Sequence, residues 1–274
     1  MKLKVRSRNY TCKELKNIDT GNKKIVLRLG SVTETSKIFK NPNNVIEINS
    51  VEGCKNSSDK RIMKRLFVNN NITTPIPYLI LQDYNSVEEI KNKFIEEFVD
   101  ENESILKYNV IIKKYNSSKG NRIYLIRTIE EWENFINTHS NNFYEYIIER
   151  WFNFSKEYRI HIFKDKYVYS CRKMIKRDTP EEQRWHRHNI NSVWIVENNP
   201  LFDKPKNWDI IIEECKNSLK ALKLDIGAVD IIIQSNKKKN PKFYILETNS
   251  APSLGKVGLE YYTNYLKEFI NNVH

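Results

Sequence analysis

Two stretches near the end of the chain decide its reading: GAVDIII (residues 227–233) and, eight residues further on, KFYILETNSAPSLG (residues 242–255). Each opens as a run of apolar, β-branched or aromatic residues that reads as a buried strand, and each has one acid set into it, Asp230 and Glu247. A carboxylate in such a strand costs desolvation unless it is paired or binds a cation. Glu247 and Asn249 are two residues apart, so they project from one strand face, and a carboxylate beside an amide oxygen is a hard-oxygen set suited to magnesium. A buried salt bridge, or a strand-end carboxylate in water, is the alternative reading.

Immediately upstream, EYRIHIF (157–163) alternates with period two, placing Tyr158, Ile160 and Ile162 on one face and Arg159, His161 and Phe163 on the other. A guanidinium in the middle of such a strand needs an anionic partner, which a phosphate or a structural Glu would supply. KYVYSCRKM (166–174) is expected to return antiparallel to it, carrying Arg172 and Lys173. A polar, aromatic stretch from Asp178 to Trp194 reads as a substrate-facing loop. It contains His186 and His188, whose spacing suggests a metal but lacks a third ligand. A helix over 208–223 then leads into the last hairpin, and a closing helix is expected around 259–270.

Towards the N-terminus, KIVLRL (24–29) and NVIEI (44–48) read as strands of a short α/β portion. Ser57, Ser58 or Asp59 can cap a helix whose apolar face is Ile62, Met63, Leu66 and Phe67, with Lys60 in its first turn. Ser86 with Glu89, and Thr128 with Glu131, form capping boxes for two further helices. Between those helices, YNVIIKKY (108–115) and NRIYLI (121–126) read as a hairpin joined by NSSKG (116–120), and EYIIERWF (145–152) as a strand.

At 274 residues, 39% hydrophobic and 12% aromatic, the chain can bury a sizeable core. Its formal charge of +12 favours polyanionic neighbours, nucleotides or nucleic acid among them, although scattered lysines also fit a solvated basic surface. The four cysteines, Cys12, Cys54, Cys171 and Cys215, form no CxxC pair, which argues for a reducing, cytoplasmic compartment. No apolar run is long enough to span a membrane.

The run ALKLDIGAVDIIIQ with FYILETNSAPSLG resembles the magnesium-binding signature of ATP-grasp enzymes. EYRIHIFKDKYVYSCRK resembles the phosphate-binding strand pair of the RimK-like branch, including small bacteriophage ATP-grasp proteins. The similarity takes in the SSDK helix start and the VIIKKYNSSKG loop, so it spans roughly residues 45 to 265. It implies an α+β fold, two α+β subdomains clasping ATP behind a short N-terminal pre-grasp portion, with boundaries expected at 1–55, 56–150 and 151–274.

The resemblance further implies that Asp230, Glu247 and Asn249 bind two magnesium ions, for which Mn2+ can substitute, bridging the ATP phosphates. Lys60 and Lys113 would reach the nucleotide, with the adjacent Lys114 open as an alternative to Lys113. Ser117, Ser118 and Gly120 would fold over the phosphates. Glu149, Arg150, Trp151 and Phe152 would form the hinge, backbone groups reading the adenine edge. Arg159, Arg172 and Lys173 would face the transferred phosphoryl group, and Arg187 with Asn189 the acceptor. Three departures bear on this: Asn121 and Arg122 stand where a second loop glycine is common, Ser192 follows the Arg-x-Asn element in place of glycine, and Ser253 stands in the terminal motif where glycine is frequent.

The activity so implied is ligation of a carboxylate to an amine through an acyl-phosphate, releasing ADP and phosphate, on amino-acid or peptide substrates. Two rival expectations remain: modification of nucleic acid or tRNA with the same ATP chemistry, and a nucleotide-binding structural or regulatory protein without turnover.

Overall fold

The computed structural model describes residues 1–8, 10–100, 102–117, 121–188, 190–234 and 240–273. In chain order, the first elements are β1 (Lys4–Ser7), β2 (Lys24–Leu29), β3 (Val45–Ile48), α1 (Val51–Ser58) and α2 (Lys60–Asn69). The middle of the chain forms β4 (Tyr78–Ile80), α3 (Val87–Phe98), β5 (Val99–Asp100), β6 (Ile105–Leu106), β7 (Val110–Lys114) and β8 (Ile123–Ile126). Then come α4 (Ile129–Thr138), β9 (Tyr146–Arg150), β10 (Lys156–Phe163), β11 (Lys166–Ile175) and β12 (Ser192–Val196). The chain closes with α5 (Trp208–Ala221), β13 (Ile226–Ile233), β14 (Phe243–Asn249) and α6 (Lys256–Asn272).

Two compact units result. Unit 1 comprises Met1–Thr73, Ser155–Met174 and Trp194–His274; unit 2 comprises Thr74–Phe154 and Ile175–Val193. Unit 1 holds a parallel sheet in the order β1-β2-β3 and a five-stranded sheet in the order β12-β11-β10-β13-β14. In the latter, β10 runs antiparallel to β11 and β13, and β13 to β14. One face of this sheet is apolar: Tyr158, Ile160 and Ile162 of β10 pack with Val229, Ile231 and Ile233 of β13 against Ile211, Cys215 and Leu219 of α5 and Met63 and Phe67 of α2. The other face is apolar at one end, where Phe163 and Tyr169 join Leu27 and Leu29 of β2 and Tyr262 and Leu266 of α6. Unit 2 holds the sheet β4-β9-β7-β8. Its core gathers Val110, Ile112 and Ile148 from the strands and Phe94 and Trp132 from the helices, the last two rings stacked at 4.0 Å.

The local signals act as their chemistry dictates. The Ser86 and Thr128 hydroxyls accept from the N–H of Glu89 and Glu131, each at 3.1 Å, and the Glu side chains return a bond to the N–H of Asn85 and Arg127. Asp59 is the cap of α2, accepting from the N–H of Arg61 at 2.8 Å, whereas Ser57 and Ser58 lie in the last turn of α1, a helix the sequence pattern does not announce. The buried side of α2 is Met63, Lys64 and Phe67; Ile62 is exposed, because α5 and β14 cover the helix from the Met63 side. The strand β1 and the 3-10 helix Tyr10–Asn17 also form where the charged opening gives no apolar run.

Candidate functional site

The charged end of the β10–β13–β14 face is where the candidate residues meet. Register sets Arg159 opposite Asp230 on one side, and Asp230 opposite Glu247 on the other, so three charged side chains stand in line across three strands. Arg159 grips Asp230 with two parallel bonds, Nε to Oδ1 at 2.7 Å and Nη2 to Oδ2 at 2.8 Å. Asn249 donates from Nδ2 to Asp230 Oδ2 at 3.2 Å and to Glu247 Oε1 at 3.1 Å. Lys60 Nζ stands 3.4 Å from Glu247 Oε2, and Lys173 Nζ 3.5 Å from Glu157 Oε1.

A bulge makes this arrangement possible. The β13–β14 register shifts between Asp230 and Ile231, leaving Leu246 without a cross-strand partner. Ile245 therefore pairs with Ile231 in the apolar core, while Glu247, two residues on, faces Asp230 on the charged side. In a regular strand residues 245 and 247 would share a face.

Burial pushes the Asp230 carboxyl above its ordinary value, opposed by the charge and hydrogen bonds of Arg159. For Arg159 burial works against the charge, but Asp230 outweighs it and the guanidinium is held protonated. The donor set suits a hard divalent cation: two carboxylates and an amide converge, and a half-turn of the Asn249 amide brings Oδ1 to the point its Nδ2 now occupies. Each carboxylate is already faced by a cationic side chain, so the polarity of the spot fits as well. Among the described residues no cluster of three or more His, Cys, Asp or Glu could hold a metal unaided.

In unit 2, Lys113 and Lys114 point to opposite faces of β7. Lys113 pairs with the buried Glu149 of β9, and Lys114 with Glu145 at 2.5 Å. Part of the hinge segment is tied into the fold. The N–H of Arg150 is bonded to Pro77 O at 3.1 Å and that of Trp151 to Asn109 O at 2.9 Å, so these two donors are committed to the fold and do not face a ligand. The Arg150 guanidinium lies over two rings, Tyr108 at 4.0 Å and Phe152 at 4.5 Å. Ser117 closes a turn, its hydroxyl donating to Lys114 O at 2.8 Å. Ser118, Gly120 and Asn189 lie outside the described residues.

Arg172 is not brought to the charged face. It pairs in register with Tyr158, one position out of phase with Arg159, and on the opposite side of the sheet it donates to Asp203 Oδ1 at 2.6 Å and Leu201 O at 3.0 Å. Lys173, opposite Glu157, is in phase with Arg159. Arg187 is buried with its guanidinium 4.4 Å from the Phe154 ring. His186 and His188 meet through their rings, and His188 Nε2 lies 3.4 Å from Asn121 Oδ1. Sequence reasoning missed Glu157, the partner of Lys173, and Trp194, whose ring carries both Arg159 and Lys173. A single tryptophan in SVWIV gives no sign of which strand it will lie beside.

A model of the RimK-like ATP-grasp domain matches residues 57–273. No curated protein matches the sequence. Among solved structures, D-alanyl-alanine synthetase A from Vibrio cholerae is 14% identical, over 91% of this chain and 76% of its own, with a TM-score of 0.61. D-alanine–D-alanine ligase from Bacillus anthracis complexed with ATP is 13% identical, over 89% and 74%, with a TM-score of 0.57. The ATP-grasp ligase PsnB, complexed with a variant of its minimal precursor, Mg and ADP, is 12% identical, over 90% and 77%, again with a TM-score of 0.57. Among the described residues no helix is long and apolar enough to cross a membrane.

Proposed function

The chain belongs to the RimK-like ATP-grasp family, and from that premise we propose that it joins a carboxylate to an amine at the expense of ATP, on amino-acid or peptide substrates. The single observation that carries the reading is the line Arg159, Asp230, Glu247 with Asn249 beside it, a set of hard oxygens and cations on one sheet face.

In this reading a substrate carboxylate oxygen attacks the γ-phosphorus, the bond to the β,γ-bridging oxygen breaks, and ADP leaves. The amine nitrogen then attacks the acyl carbon, the C–O bond to phosphate breaks, and the nitrogen loses a proton. Magnesium, held as two ions or replaced by Mn2+, would neutralise charge on the phosphates. Asp230, Glu247 and Asn249 would hold it, and Arg159 and Lys173 would orient the phosphoryl group through charge-assisted bonds. Lys60, beside Glu247, would serve the same phosphates. Lys113, with Glu149 fixing its Nζ, would reach the nucleotide, and Ser117, Ser118 and Gly120 would cover the phosphates. Trp151 and Phe152 would wall the adenine, with Arg150 and Glu149 supporting them. Arg187 and Asn189 would face the acceptor. No side-chain nucleophile is required, so positioning and electrostatics do the work.

By role, we divide the chain into a pre-grasp portion (1–55), a nucleotide-loop portion (56–150) and a metal-binding portion (151–274). The four cysteines are free thiols, which supports a cytoplasmic setting. An acceptor on nucleic acid is favoured only by the charge of +12; binding to tRNA that weakens steeply with salt would support it.

The test is ADP release with magnesium over a panel of amino acids and peptides, Glu247→Ala serving as control. Turnover is expected with at least one carboxylate and amine pair, and a loss of ~10^3-fold in the variant, the scale of removing one transition-state stabiliser. Activity surviving Glu247→Ala would sink the metal assignment; no release with any pair would favour a protein that binds nucleotide without turnover.

A further inference from the structure

We infer that Trp194 is a positioning residue for the phosphate-facing cations, an inference that rests on the ATP-dependent reading above. Its half-buried ring carries two cations at once: the Arg159 guanidinium carbon is 4.6 Å from the ring centroid and Lys173 Nζ is 5.3 Å from it. Both lie within the range of cation–π attraction.

The reason such a contact matters here lies in the other partners of these cations. Arg159 is gripped by Asp230 at 2.7 and 2.8 Å, Lys173 stands 3.5 Å from Glu157, and Lys60 stands 3.4 Å from Glu247. Three cations and three carboxylates thus face one another on one sheet surface. A divalent cation bound by Asp230 and Glu247 draws on the oxygens that now hold Arg159 and Lys60. The carboxylate anchor of Arg159 is therefore weakened at the moment the phosphates arrive. An aromatic face behaves differently. It attracts the cation through its quadrupole without occupying the in-plane N–H groups, so the guanidinium stays in place with its donors free to turn to phosphate oxygens. Trp194 holds Arg159 and Lys173 in both states, whereas Asp230 holds Arg159 firmly in only one.

Calorimetric titration of MgADP tests this, together with Mn2+ titration of the nucleotide-free protein followed by electron paramagnetic resonance. Trp194→Leu is expected to weaken MgADP about tenfold and Trp194→Phe about threefold, with Mn2+ affinity unchanged in both. A purely structural role would move Mn2+ affinity and melting temperature along with nucleotide affinity, and that result overturns the inference. So does a Leu variant that binds MgADP as the wild type does. If Trp194→Leu does not fold, tryptophans carrying successive ring fluorines at position 194 decide the matter at constant shape: affinity falling with each fluorine supports the inference, and a flat series overturns it. A folded wild type that binds no MgADP overturns the ATP-dependent reading itself, which is a different result from any of these.

Discussion

Unit 1 holds 33 of the chain's 46 Lys and Arg residues and 18 of its 34 Asp and Glu residues; unit 2 holds the remaining 13 and 16. The formal charge of +12 is therefore a property of unit 1 alone, and unit 2 is slightly acidic. The same contrast appears at close quarters. In unit 2 the candidate lysines lie against carboxylates of neighbouring segments, Lys113 against Glu149 and Lys114 against Glu145. In unit 1 the pair Arg159 and Asp230 belongs to a wider set with Glu247, Asn249, Lys60 and the Trp194 ring. A charged pair alone is weak evidence of function, because either partner can be there to neutralise the other. A set with more oxygens than one cation can use, and more donors than one carboxylate can accept, is what the proposed magnesium site requires.

Substitutions in each unit put the contrast to the test. The largest effect is expected at the pair in unit 1. Arg159→Met removes the partner of a carboxylate that is 6% exposed and should lower stability by about 3 kcal/mol, with Asp230→Asn in the same chain restoring part of it. Urea unfolding of the wild type and the two variants measures this, and equal stabilities for the single and double variants would show the network does not couple them. In unit 2, Lys113→Met should weaken MgATP roughly tenfold or more, the value of one charge-assisted bond, and Lys114→Met by less than about threefold. Calorimetry on both variants decides which lysine serves the nucleotide; reversed effects would move the role to Lys114.

A smaller effect tests burial in unit 1. His161 lies fully buried, stacked on Tyr169 at 4.1 Å with Nδ1 2.9 Å from the Tyr262 hydroxyl. Burial, and then the Arg159 charge, push its pKa well below the ordinary 6.5. On acidification the unfolded chain takes the proton first, so stability is lost as pH falls below about 6.5. The loss is therefore expected between about pH 7.5 and 5.5. His161→Gln should flatten the pH dependence of the urea midpoint over that range; an unchanged slope refutes the assignment. The smallest effect is local to unit 2: Thr128→Ala, which removes the cap of α4, should cost about 1 kcal/mol and leave Mn2+ binding unaltered.

Much of this architecture is legible in the amino-acid sequence. Capping boxes, strand alternation in EYRIHIF and the acids in the last hairpin depend on nearest neighbours and on a period of two, which a single sequence displays. The second strand of the pair, KYVYSCRKM, shows where that legibility stops. Its alternation is visible, but whether Arg172 or Lys173 shares the face of Arg159 depends on how the hairpin sets the register, and the register chooses Lys173. The hinge is a second case, since only the folded neighbours Pro77 and Asn109 show that the N–H groups of Arg150 and Trp151 are taken.

Residue type and spacing within two strands are enough to single out Asp230, Glu247 and Asn249 as the metal-binding candidates, because their chemistry is carried locally. Which partners they meet is a matter of tertiary structure. The bulge at Leu246 turns Glu247 out of the core that holds Ile245, and β12 brings Trp194 over two cations from the two strands that precede it. Both outcomes follow from how strands pair in space. Hydrogen-bond register is settled by the whole sheet and its core, and no local pattern fixes it in advance.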